Sequence, residues 1–275
     1  MLNLNGSLVD HNTTQILNRG FSYGDAVFET IKMNQGKILF WEDHYFRLMA
    51  SMRILRMKIP MVFTMEFLEQ QILSLVKAQN LENARIRMTV FRNDGGFYLP
   101  KTQTVSYIIE ANPLEKTTYQ FSNEYEVELF KDFHIGKHLL STLKTTNKLI
   151  QITASIFAEE NGYQSCLLMN DDKNIVESIS GNLFMVSNNT IVTPPISEGC
   201  LNGIMRKQII NLLKKDTTFQ WEERPISPFE LQKADELFIT NVIIGIQPIT
   251  KYRKKNYSFE VAEYFTSKLN EIINS

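Results

Sequence analysis

Lys144 stands in Ser141-Thr142-Leu143-Lys144-Thr145-Thr146-Asn147-Lys148-Leu149, behind small hydroxyl residues at the entry to an expected helix. Downstream, Ile175-Val176-Glu177-Ser178-Ile179-Ser180-Gly181-Asn182-Leu183-Phe184 sets an acid on a strand, then a small-residue turn and a second strand. A lysine that can shed its proton forms Schiff bases and moves protons. A strand-borne carboxylate can tune whatever electron-withdrawing group such a lysine holds. Read singly, Lys144 is a surface lysine and Glu177 an exposed strand residue, as most charged residues are.

Two further places suit an anion. Cys200-Leu201-Asn202-Gly203-Ile204-Met205-Arg206 is a tight turn feeding a helix, whose first N–H groups and dipole favour negative charge. Phe238-Ile239-Thr240-Asn241-Val242 is a buried strand ending in polar residues. Their plain readings are a capped helix and a strand end. Glycine-rich phosphate loops, dinucleotide loops and a Gly-x-Ser-x-Gly elbow are missing. Of the four histidines, His11, His44, His134 and His138, the last two have helix-face spacing. Gly136 lies between them and no third ligand is near, so no metal is expected.

The elements that must position these residues form an α+β pattern. Leu2 and Leu4 alternate with asparagines, and Asn5-Gly6 predicts a hairpin over Met1 to Asp10. Asn18 to Asp25 reads as a loop, Ala26 to Met33 as a strand, and Asp43 as the N-cap of a helix through Leu55. Thr64 caps a second helix; strands follow at 84–92 and 104–111. The polar stretch 112–123 marks a boundary, giving domains 1–115 and 116–275. The second domain is expected to hold a helix from about Thr145 to Glu160. Strands are expected at 125–131, 164–169, 174–178, 182–187, 218–223 and 236–240. A capping box is read at Ser227 and a closing helix over 258–274. Lys251 to Lys255 reads as a solvated turn.

Composition bounds the partners. The 275 residues are 43% hydrophobic with formal net charge −1, so no global field favours nucleic acid or an anionic membrane. No apolar window approaches a membrane helix. Two cysteines, with Cys166 in an apolar strand, suit a reducing cytoplasm.

Taken in order, these motifs resemble the fold type IV (class IV) pyridoxal-phosphate enzymes: branched-chain aminotransferase, D-amino-acid aminotransferase and aminodeoxychorismate lyase. Phe21-Ser22-Tyr23-Gly24-Asp25-Ala26-Val27-Phe28-Glu29-Thr30 looks like the family's early loop and strand, and His44-Tyr45-Phe46-Arg47-Leu48 like its His-x-x-Arg-Leu helix. Lys144, Glu177, Gly203-Ile204-Met205-Arg206 and Phe238-Ile239-Thr240-Asn241 take the places of the family's lysine, glutamate, phosphate turn and late strand end.

The resemblance implies a small N-terminal α/β domain and a larger mixed α/β, barrel-like domain carrying Lys144 and Glu177. It implies pyridoxal 5′-phosphate on Lys144, which then serves as acid and base. Glu177 would keep the pyridine nitrogen protonated. Arg47, the amides of Ile204 and Met205, and Thr240-Asn241 would hold the phosphate. Thr30, Arg87 and Arg92 compete as ligands of a small amino-acid-like substrate. A homodimer is implied as well. Asn147 is similar to both the lyase and the D-amino-acid enzyme, while Met205 and Thr240-Asn241 resemble the lyase, which would release pyruvate and leave 4-aminobenzoate for folate. The alternative is transamination of a branched-chain or D-amino acid.

Overall fold

The computed structural model describes residues 1–10, 18–115 and 117–274; His11 and Lys116, the first residue of the expected second domain, lie outside them. The chain divides into two units. The first is Met1–Thr117 with Lys144–Asn147, and the second is Thr118–Leu143 with Lys148–Ser275.

The first unit comprises β1 (Leu2–Leu4), β2 (Ser7–Val9), α1 (Arg19–Tyr23), β3 (Ala26–Asn34), β4 (Lys37–Ile38), α2 (Trp41–Ile54), α3 (Met65–Ala78), β5 (Ala84–Arg92) and β6 (Val105–Pro113). Asn5 and Gly6 both have positive φ, 49° and 90°, as the two-residue turn between β1 and β2 requires. The antiparallel sheet runs β2-β1-β6-β5-β3-β4. Along β5, Ala84, Ile86, Met88 and Val90 are buried while Arg85, Arg87, Thr89 and Phe91 alternate outward. The buried set packs with Leu48 and Met52 of α2 and Leu68, Ile72 and Leu75 of α3. Each such side chain contributes roughly 1.5–3 kcal/mol by leaving water.

Local chemistry moves some expected boundaries. Residues 18–25 hold a short helix: Asn18 Oδ1 accepts the Phe21 N–H at 3.0 Å, and Gly24 closes it at φ 64°. Helix α2 begins at Trp41 with Phe40 as its N-cap, so Asp43 lies in the first turn, where it still meets the helix dipole favourably. Thr64 caps α3 as read, accepting from Phe67 N–H.

The second unit comprises β7 (Glu126–Leu129), α4 (Leu149–Glu160), β8 (Ser165–Met169), β9 (Ile175–Ser178), β10 (Asn182–Ser187), β11 (Thr190–Thr193), α5 (Ile204–Leu213), β12 (Gln220–Glu223), α6 (Pro228–Leu231), β13 (Glu236–Asn241), β14 (Gly245–Ile249), β15 (Lys251–Tyr252), β16 (Lys255–Asn256) and α7 (Glu260–Asn274). Its mixed sheet runs β12-β11-β10-β9-β8-β7-β15-β16, and β13 joins β10 to β14. Strands β8, β9 and β14 are buried at every residue, so they lack the in–out alternation of a half-exposed strand. The Ser227 capping box is complete. Lys251 to Lys255 spans a hairpin instead of a bare turn, with Lys251 Nζ on Glu126 at 2.9 Å. Among the described residues no helix is long and apolar enough to cross a membrane.

Candidate active site

Lys144 precedes α4 by five residues and is not its opening residue. The segment 144–147 runs extended along the exposed edge of β3. Phe28 N–H donates to the Lys144 carbonyl at 2.8 Å, Thr146 N–H donates to the Ala26 carbonyl at 3.1 Å, and Val27 bridges Thr145. Two consecutive threonines suit an extended backbone, and the free edge of β3 supplies partners that a helix would not. Asn147 fastens the end, its Nδ2 donating to the Gly24 carbonyl at 3.1 Å. The Lys144 ammonium lies 4.8 Å from the centroid of the Phe28 ring, and the Arg87 guanidinium 3.8 Å from the same centroid. Thr30 pairs across the sheet with Arg87. Phe28, Thr30 and Arg87 alternate onto the sheet face opposite the helices.

Arg92, the other candidate for a substrate carboxylate, is committed inside the unit. Its Nε donates to Asp25 at 2.9 Å, and its terminal nitrogens donate to the carbonyls of Leu55 and Arg56 and to Gln103. Arg19 shares Asp25 and holds the carbonyls of residues 95–97. Arg92 therefore braces the loop after β5, with Nε and both terminal nitrogens engaged within the first unit. Arg87 makes one described side-chain bond, from Nε to Thr89 at 3.3 Å, and burial pulls its pKa down.

Glu29, one residue on from Phe28, points to the helix face and meets α2. Arg47 forks onto both its oxygens, and His44 Nδ1 lies 2.7 Å from Oε2. Burial alone would push the Glu29 carboxyl up. The Arg47 charge and the His44 and Arg47 hydrogen bonds outweigh it and hold the pKa at about 2. Burial pulls the His44 imidazole down against the opposing pull of Glu29. The carboxylate can only accept, so Nδ1 carries the proton. Nε2 is then a bare acceptor, fully buried and without a hydrogen-bond partner among the described residues. Glu29 and His44 were given no role from sequence. The signal was the i, i+3 spacing of His44 and Arg47, which puts both on one helix face.

In the second unit β10 gathers the remaining candidates. Asn182 pairs with Glu177 on one side and Thr240 on the other. Its Nδ2 donates to the Leu201 carbonyl at 2.8 Å, and its Oδ1 fills the space a side chain at Gly203 would need. Glu177 is buried, and its Oε2 accepts the Leu201 N–H at 2.8 Å. Gly203 is the N-cap of α5 and brings no side chain to the N–H groups of the helix's first residues, Ile204 and Met205. The Thr240 hydroxyl is buried with no partner among the described residues. Asn241 Oδ1 accepts from the N–H groups of Ile243 and Ile244 at 3.0 and 3.1 Å, pinning the turn into β14. At Gly181 a Cβ would stand 2.8 Å from the Thr240 carbonyl, so only glycine lets that strand end come so close.

Each unit carries groups of the kinds that pyridoxal phosphate uses: the first a lysine, the second a buried carboxylate and N–H and hydroxyl donors. The orphaned Thr240 hydroxyl and the uncapped α5 terminus, linked through Asn182, are donors waiting for an anion.

Comparison with known proteins places the chain in a family. The profile of amino-transferase class IV matches residues 26–252. A putative branched-chain-amino-acid aminotransferase of Methanocaldococcus jannaschii is 28% identical over 98% of this chain and 93% of its own length. A D-alanine aminotransferase of Bacillus licheniformis is 26% identical over 90% and 86%. An aminodeoxychorismate lyase of Vibrio harveyi is 25% identical over 84% of each chain. In fold, the chain superposes on a branched-chain aminotransferase of Thermoproteus uzoniensis with a TM-score of 0.88 at 24% identity, covering 99% of this chain and 94% of that one.

Proposed function

The chain belongs to the class IV aminotransferases, enzymes that depend on pyridoxal 5′-phosphate, and from that premise we propose that it is a 4-amino-4-deoxychorismate lyase, releasing pyruvate and leaving 4-aminobenzoate. The observation that carries the reading is the end of β13. Thr240-Asn241, and Met205 in the first turn of α5, resemble the lyase at these positions, and the buried Thr240 hydroxyl has no described partner. Transaminases of the family tend to small serine- and glycine-rich runs at that strand end.

Pyridoxal phosphate, when bound, supplies a carbonyl for the substrate amine and a ring that withdraws electrons from the α-carbon. The chain's residues do the rest. Lys144 Nζ would hold the cofactor and serve as the base and acid for the α-proton. Glu177, whose Oε2 accepts the Leu201 N–H, would hold the charge of a protonated ring nitrogen. The amides of Ile204 and Met205, the Thr240 hydroxyl and Asn241 would hold the phosphate, and the resemblance assigns Arg47 to it as well. Arg87, whose terminal nitrogens have no described bond, takes a substrate carboxylate, with Thr30 beside it.

A second reading, transamination, is favoured by the relative from Methanocaldococcus jannaschii, which spans nearly the whole chain. The two separate in one assay. Purified protein given aminodeoxychorismate without any keto-acid acceptor is expected to release pyruvate; strict dependence on 2-oxoglutarate or pyruvate as acceptor overturns the lyase. We also propose a homodimer. On α4, Leu149, Ile152 and Ile156 form an exposed apolar stripe, with Leu149 at 76% exposure, and apolar faces of this kind are interface cores.

A further inference from the structure

The turn that carries the Leu201 N–H is clamped at both ends within the second unit. Downstream the clamp is Asn182, bonded to the Leu201 carbonyl. Upstream it is Glu198, three residues earlier and buried. Glu198 Oε2 accepts from Asn170 Nδ2 at 2.7 Å and from Asn174 Nδ2 at 3.0 Å; its own carbonyl accepts from Asn170 Nδ2 at 3.1 Å. Its Oε1 meets Lys137 Nζ at 2.9 Å, and Lys137 also reaches Asp172 at 2.6 Å. Asn170 is itself fixed, because its Oδ1 accepts the N–H groups of Asp172 and Asn174 at 3.1 and 3.0 Å. A buried carboxylate thus meets a preformed cradle of two amides and an ammonium.

Between Glu198 and Leu201 the backbone has little freedom. Gly199 sits at φ 98°, a conformation that side chains rarely adopt, and a Cβ there would stand 2.7 Å from the Gly136 carbonyl. Cys200 is buried, its thiol toward the carbonyls of Pro194 and Pro195. Whatever fixes Glu198 therefore fixes the peptide whose N–H reaches Glu177.

The geometry points to a latch, Glu198 held by Asn170, Asn174 and Lys137, that positions Leu201 N–H on Glu177 and so sets which oxygen and which direction Glu177 presents to the ring nitrogen. Glu198 is a positioning residue and touches no reactant; the inference rests on the role proposed above for Glu177.

The test compares Glu198→Ala, Glu198→Gln and Lys137→Met with Glu177→Gln and the parent chain, each prepared both free of and loaded with pyridoxal phosphate. Three quantities are read: hydrogen exchange of residues 199–203 without cofactor, the pH midpoint of the lysine-bound cofactor absorbance, and kcat against KM. Glu198→Ala is expected to speed exchange of 199–203 about tenfold. It should move the absorbance midpoint in the same direction as Glu177→Gln, and lower kcat about tenfold with KM within about twofold. Glu198→Gln keeps an acceptor for Asn170 and should recover most of the loss. Lys137→Met, a gentler change at a half-exposed residue, should move the same quantities less, and it decides the matter if Glu198→Ala does not fold. Parent-like midpoint and kcat in Glu198→Ala and Lys137→Met, with only stability lowered, overturn the latch. A parent-like midpoint in Glu177→Gln overturns the role of Glu177 and the latch with it.

Discussion

At the scale of residues, one strand sorts the chemistry of the first unit. Phe28 collects Lys144 and Arg87, while Glu29 collects His44 and Arg47. Lys144→Ala is expected to abolish the lysine-bound cofactor absorbance and to cut turnover by about 10²–10⁴-fold, the usual worth of a positioned acid and base. Arg87→Met should raise KM by roughly 10- to 100-fold, the loss of a charged hydrogen bond. Arg92→Met should leave KM unchanged and lower Tm, because it frees a shared carboxylate and two buried carbonyls. Steady-state kinetics beside thermal melts distinguish the two arginines. Glu29 adds a pH signature. Its folded pKa of about 2 lies below the unfolded value of 4.5, so its contribution is fully present above pH 4.5 and is lost as pH falls through 2. By linkage it amounts to roughly 3 kcal/mol at neutral pH. Denaturant titrations between pH 7 and pH 3 should show stability declining below pH 4.5 in the parent chain, and a flatter profile in Glu29→Gln.

At the scale of elements, β10 is the organiser of the second unit: its first residue touches β9, β13 and the turn into α5. The orphaned Thr240 hydroxyl gives that arrangement a direct test. Thr240→Val keeps the shape and removes a buried group that no described residue satisfies. Stability should hold or rise, while affinity for pyridoxal phosphate falls about tenfold. Equilibrium binding followed by absorbance, with a melt of the cofactor-free protein, reads both; an unchanged affinity removes the hydroxyl from the phosphate site. Sequence spacing located β10 and the turn at 203 because their apolar and glycine patterns are local. It placed the start of α4 at Thr145 because Thr145–Asn147 precede an apolar helical run without a break. Only pairing with β3 shows why those residues are extended.

At the scale of the whole molecule, the two units differ in how legible they are. The first is an alternating antiparallel sheet under two amphipathic helices, and most of these strands and both helices show in the local pattern, whereas α1 reads as a loop. The second has central strands buried on both faces, and β14 to β16 escaped reading because Gly245–Ile249 carries Gln247 and Pro248 and no alternation. The assignment of 144–147 to the first unit likewise has no local signal. The α4 stripe is tested by sedimentation: Ile156→Lys should shift a dimer toward monomer, and a parent chain already monomeric at micromolar concentration removes the proposed interface.

The sequence by itself determined the family and, through the family, the cofactor, because the motifs lie in order along the chain and each is a short contiguous run. It also determined most strands and caps, which depend on neighbours a few residues away. What only the tertiary structure decided is which charged groups are already spent. Arg92 and Arg87 lie on one strand and look equivalent as letters. Yet Arg92 is consumed by Asp25 and two carbonyls that the fold brings from distant segments, whereas Arg87 is left over the Phe28 ring beside Lys144. Hydrogen-bond satisfaction is a property of the folded neighbourhood, and no local pattern encodes it.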